Sequence, residues 1–89
     1  MTVSVRFIGV FRSLSDKSKF DLKLEKPTPL ETAIERILEK MPSLSQALGN
    51  HKSGMLVLLN GKEISVFDGL KTVIKDGDEV VFVPVTHGG

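Results

Sequence analysis

Met55-Leu56-Val57-Leu58-Leu59, followed at once by Asn60-Gly61, is the stretch that decides the fold. Five aliphatic residues without alternation read as a strand buried on both faces at the centre of a sheet, with strands on both sides of it. Asn and Gly both tolerate positive φ, so a tight hairpin turn follows, and Lys62-Glu63-Ile64 is a short return strand. Further on, Phe67-Asp68-Gly69-Leu70 is irregular and Lys75-Asp76-Gly77-Asp78 makes one more turn. Glu79-Val80-Val81-Phe82-Val83 is the final strand. Pro84 lacks a ladder donor, so regular pairing is expected to end near it and the tail, 84–89, to project from the sheet.

Upstream of the central run, Val3, Val5 and Phe7 alternate with Ser4, Arg6 and Ile8, the period of a strand with one buried face. Phe20, Leu22 and Leu24 repeat the pattern after the polar segment Arg12 to Ser18, giving an N-terminal hairpin. Thr28-Pro29-Leu30-Glu31 carries three helix-start signals: an N-cap Thr, Pro at the first helical position, and Glu three residues after the cap. Leu30, Ala33, Ile34, Ile37, Leu38 and Met41 then recur at helical spacing, so one face packs on the sheet until Pro42 stops the helix. Ser43 to Gly49 reads as a short second helical turn, and His51 to Gly54 as a loop. A hairpin, a crossover helix, a central strand, a short partner and a last strand make an α+β fold: a mixed sheet with one main helix packed on one face, in the β-grasp order of ubiquitin. A ferredoxin-like arrangement fits less well, because the second helical segment is too short and polar to cover a sheet.

Residues 1–89 make one domain, and a chain 40% hydrophobic and 26% charged has the composition of a folded globular protein. Twelve Lys and Arg are interleaved with eleven Asp and Glu, for a net charge of +1, and the aromatics are five Phe. That balance argues against direct nucleic-acid binding. No apolar run is long enough to span a membrane and Met1 to Arg6 holds no signal-peptide core, so a cytoplasmic location is expected. Zero cysteines exclude a disulfide scaffold and any thiolate chemistry on this chain.

Inside the domain no constellation looks catalytic. His51 is a loop residue with one other histidine and no cysteine for company, Glu31 and Glu35 are one turn apart on a solvated helix face, and no glycine-rich loop opens a helix to hold phosphate. No enzymatic activity, metal or permanently bound cofactor is expected. Chemistry is expected at the tail, Pro84-Val85-Thr86-His87-Gly88-Gly89. Two glycines without Cβ pass through a slot too narrow for other residues, which suits insertion into a partner's active site with the Gly89 carboxylate as the reactive group.

Asp76-Gly77-Asp78-Glu79-Val80, a Val/Phe strand, a proline and a final Gly88-Gly89 resemble the MoaD/ThiS family of ubiquitin-like sulfur carriers, over essentially the whole chain in element order. Val3 to Leu14, with Arg12-Ser13-Leu14 after strand one, is similar to the opening of the molybdopterin-synthase small subunit. That subunit usually has two prolines and a small residue before Gly-Gly, whereas the His87-Gly88-Gly89 ending is more similar to the ubiquitin-related modifier of tRNA thiolation and protein conjugation.

The resemblance implies that an E1-like enzyme adenylates Gly89 with ATP and that a sulfur donor converts it to a thiocarboxylate. It implies as recipients a molybdopterin-synthase large subunit or a tRNA-thiolation enzyme. If the chain is instead a modifier, target lysines receive it through an isopeptide bond. Tail threading then falls to Gly88 and His87. Strand parity puts Val5, Phe7, Val80 and Phe82 toward the helix and Ile8, Val81 and Val83 on the opposite face, where apolar residues need a partner. The resemblance places Ile8, Ile64 and Val83 at matching docking positions, with Arg12 near the same end.

Overall fold

The computed structural model describes residues 1–8, 19–41 and 55–84. Strands β1 (Thr2–Phe7) and β2 (Lys19–Lys23) form the expected antiparallel hairpin, with Val3 opposite Leu22 and Val5 opposite Phe20. A two-residue strand β3 (Thr28–Pro29) leads into helix α1 (Leu30–Lys40). Then come β4 (Met55–Leu59), β5 (Lys62–Glu63), two single 3₁₀ turns (Ile64–Val66 and Gly69–Lys71), β6 (Val73–Ile74) and β7 (Glu79–Pro84). The main sheet has the order β2-β1-β7-β4-β5, with β1 and β7 parallel and the other neighbours antiparallel. The helix lies across one face of this mixed sheet, which is the β-grasp arrangement.

Burial follows from parity. Val3, Val5, Phe7, Leu22, Val57, Leu59, Val80 and Phe82 point to the helix side and join Leu30, Ala33, Ile37, Ile64 and Ile74 in one core. Phe82 is 1% exposed, and its ring stacks on Phe7 at a centroid distance of 5.6 Å. Each such side chain contributes roughly 1.5–3 kcal/mol by leaving water.

Two expectations are corrected. The middle of the sheet is β7, which separates β1 from β4; β4 has strands on both sides, but its outer neighbour is only the two-residue β5. Nor is β4 buried on both faces, since Val57 and Leu59 are enclosed while Leu56 is 39% exposed. The physical reason is that the helix covers one face only, and aliphatic residues on the other face hide the alternation.

The helix also starts differently. Thr28 does not cap it: its hydroxyl donates to the Lys26 carbonyl at 2.8 Å, and Pro29 takes the cap position without a side-chain bond. Thr28 and Pro29 are held instead by pairing with Ile74 and Val73, and the Leu30 N–H donates to the Thr72 carbonyl at 2.8 Å. A neighbouring backbone thus satisfies a donor that an N-cap side chain would otherwise serve. Ile64, expected at the end of the return strand, opens the first 3₁₀ turn. The helical turn expected at Ser43 to Gly49 lies outside the described residues, as does His51.

Candidate functional site

The base of β7 is clamped before its tip can be aimed. Asn60 and Gly61 take φ of 52° and 85°, as a hairpin turn with two left-handed residues requires. The Asn60 side chain then reaches across to β7. Its Nδ2 donates to Asp78 Oδ1 at 3.0 Å, and its Oδ1 accepts the Glu79 N–H at 2.9 Å. Asp78, 5% exposed, also accepts the Lys75 N–H at 2.8 Å, while Asp76 accepts the Thr2 N–H at 2.8 Å. Gly77, at φ 86°, closes the same turn. The acidic turn that sequence reading took as simple punctuation therefore fixes three strand ends together: the start of β1, the end of β4 and the start of β7.

At the other end of β7 the face turned away from α1 carries apolar side chains. Phe7 pairs with Phe82 and Leu56 with Val83, so Ile8, Val83 and Leu56 follow one another across three strands, and the Ile8 N–H donates to the Phe82 carbonyl at 3.0 Å. Ile8 is 41% exposed, Leu56 comparably so, and Val83 half-buried. One row closer to the base come Lys19, Arg6, Val81, Leu58 and Glu63. A further row back stand Asp21, Ser4 and Glu79. The face is apolar where the chain leaves toward its tail and becomes charged toward the clamped base.

Arg6 and Glu79 approach to 3.9 Å across two rows, but both side chains are well exposed, so the pair holds the strands together weakly. Ser4 Oγ is buried without a hydrogen-bond partner among the described residues. There, too, no group of three or more His, Asp or Glu is arranged for a metal, and no helix is long and apolar enough to cross a membrane.

Ile8 and Val83 stand together as parity requires. Val81 shares their face but is 5% exposed, flanked in register by Arg6 and Leu58, and so forms the floor of the patch rather than its contact surface. Ile64 is a correction. It is 8% exposed and belongs to the core, because β5 ends at Glu63 and the next residue turns inward beneath the sheet edge. Arg12, His87, Gly88 and Gly89 lie outside the described residues. Sequence reading missed Leu56 and Leu58. The available signal was the pairing itself: if Val57 and Leu59 face the helix, the two leucines between and before them must face away.

Comparison with known proteins gives this geometry a context. The chain is 26% identical to a ubiquitin-related modifier 1 homolog of Dictyostelium discoideum, with all of both chains covered. The small archaeal modifier protein 1 of Methanosarcina acetivorans superposes with a TM-score of 0.81 at 26% identity, covering 99% of this chain and 96% of that one. Subunit 1 and 2 of the molybdopterin-converting factor from Helicobacter pylori have been solved as a protein–protein complex, to which this chain matches with a TM-score of 0.66 and 28% identity over all of both chains. The model of the ThiS family matches residues 5–89, which take in Asn60, Asp78, the apolar face and the Gly88-Gly89 end, and the chain belongs to that family of ubiquitin-like carriers and modifiers.

Proposed function

We propose that this protein is a sulfur carrier whose Gly89 carboxylate is adenylated by an E1-like enzyme and then converted to a thiocarboxylate. A carboxylate is a poor electrophile. Attack of its oxygen on the α-phosphate of ATP releases pyrophosphate and leaves an acyl adenylate, whose AMP is a good leaving group for a sulfur nucleophile from a donor protein. The cysteine-free chain carries that sulfur on its own end and passes it to a recipient enzyme for molybdopterin synthesis or tRNA thiolation. The carrier itself does no catalysis, and ATP is the partner's substrate.

The observation that supports this most is the construction of β7. It is the strand at the middle of the sheet, its base is clamped by Asn60 and Asp78, and six residues later it runs into the segment that ends in Gly88-Gly89, through which the family match extends. Ile8 and Val83, over the floor of Val81, provide the apolar face on which the activating enzyme docks; Arg12 is assigned to that docking by the family resemblance alone. The complex of subunit 1 with subunit 2 in the Helicobacter pylori relative is the precedent for a recipient subunit.

The second reading, a protein modifier joined to target lysines, is favoured by the His87-Gly88-Gly89 ending and by the modifier names of two relatives. Both readings share the adenylate and part at the nucleophile. Immunoblots of cells expressing an N-terminally tagged protein separate them. Carriage predicts no ladder and loss of molybdopterin or thiolated tRNA when Gly88-Gly89 is deleted. Conjugation predicts a ladder that the deletion abolishes. No change in either readout would leave an inert tail and overturn both.

A further inference from the structure

The clamp at the base of β7 is built on an asparagine followed by a glycine, Asn60-Gly61. In that dipeptide the side-chain amide carbon can close a succinimide ring with the next backbone nitrogen, and glycine, having no Cβ, leaves the nitrogen unshielded. Both residues are exposed, and a Cβ added at Gly61 would meet no atom within 4 Å. Water and base therefore reach the site freely, so burial does not protect it.

Hydrogen bonding does. The Asn60 amide is engaged at both of its ends, Nδ2 donating to Asp78 Oδ1 at 3.0 Å and Oδ1 accepting the Glu79 N–H at 2.9 Å. Its own N–H donates to the Glu79 carbonyl at 2.8 Å, and Leu59 pairs with Lys62 across the turn, so the backbone is fixed as well. Ring closure has to swing Cγ toward the Gly61 nitrogen and so takes the amide away from β7. The bonds that steady the strand are the bonds that keep the amide from reacting.

We propose that Asn60 is a deamidation site whose rate is set by the clamp and whose conversion dismantles the clamp. Base removes the proton from the Gly61 nitrogen, which attacks Asn60 Cγ; a C–N bond forms, the Cγ–Nδ2 bond breaks, and the nitrogen leaves as ammonia after taking a proton from water. Water then opens either carbonyl of the ring to give aspartate or isoaspartate. Each product has lost the Nδ2 donor and brings a second carboxylate toward Asp78, which is 5% exposed and has only the exposed Lys75 ammonium, at 3.7 Å, as a cationic neighbour. Isoaspartate also lengthens the backbone inside a two-residue turn, against the Leu59–Lys62 pairing. The change is one-way, so a molecule that has opened once at this turn loses the fixed start of β7.

Peptide mass mapping of the full-length protein, incubated at mildly alkaline pH, tests this. In concentrated urea the peptide containing Asn60 is expected to gain the mass of NH2 replaced by OH. The folded protein should gain it roughly 10- to 100-fold more slowly, the protection given by two hydrogen bonds of ordinary net strength. Asp78→Ala removes one partner of the amide and should deamidate about 5-fold faster than the parent while folded. Asp78→Asn, with one acceptor oxygen for two donors, takes its place if Asp78→Ala does not fold, with an acceleration in the same direction. Asn60→Asp, the direct mimic of one product, should unfold at a lower urea concentration than the parent and exchange its Glu79 amide hydrogen faster. Equal rates for folded and unfolded parent would overturn the proposal, as would absence of conversion at Asn60 in urea. So would a folded Asp78 variant that deamidates no faster than the parent, or parental stability of Asn60→Asp.

Discussion

Strand β7 presents apolar side chains to two different surroundings. Val80 and Phe82 are enclosed by the helix and the neighbouring strands, with Phe82 stacked on Phe7 and Phe7 on Phe20. Val81 and Val83 are just as apolar, yet α1 does not cover their face; Val81 is shielded by its strand neighbours and Val83 stays half open beside exposed Ile8 and Leu56. Apolar residues on the helix side are explained by folding. Those on the other side are not, and the docking proposed above is what would account for them.

Substitutions sharpen that contrast. The largest effect on stability is expected from Phe82→Ala, which empties a fully enclosed site and should cost about 3–5 kcal/mol in urea unfolding. Against the 5–15 kcal/mol of a typical domain this is a large share of the whole. Val83→Asp, one residue away, should change stability by about 1 kcal/mol or less because the carboxylate can reach water, but lower affinity for the activating enzyme at least ~10-fold by placing an unpaired charge where docking must remove water. Ile8→Asp should behave alike. If either variant unfolds, the face was structural after all; if either binds normally while folded, docking lies elsewhere. Smallest of all is Ser4→Ala. Ser4 Oγ already lacks a partner, so removing it should be neutral or slightly stabilising in the same urea experiment.

How much of this was legible in the sequence differs by region for physical reasons. β1 and β2 were readable because each has one wet face, and alternation records it. Asn60-Gly61 was readable because few other pairs take two positive φ values in succession. The position of β4 was misread because aliphatic residues on a face left open look the same, in sequence, as residues on a face that is covered. Thr28 misled because its capping signal is local, whereas its actual partners, Ile74 and the Lys26 carbonyl, include a residue more than forty positions away in the chain. Ile64 and Ile8 carry the same side chain. The end of β5 at Glu63 turns Ile64 into the core, while Ile8, one residue past β1, follows the parity of that strand onto the open face.

The central claim is that the clamped strand delivers a glycine end to an adenylating active site. ATP–pyrophosphate exchange by the cognate activating enzyme tests it most directly, using Gly88→Val and a protein with one alanine added after Gly89. A branched side chain adds bulk and stiffness where the channel admits neither, and the added residue moves the carboxylate away from the α-phosphate. Both variants should fold and melt as the parent does, since neither alters a core or clamp residue. Exchange is expected to fall to background with each, and exchange at the parental rate with both would contradict the account.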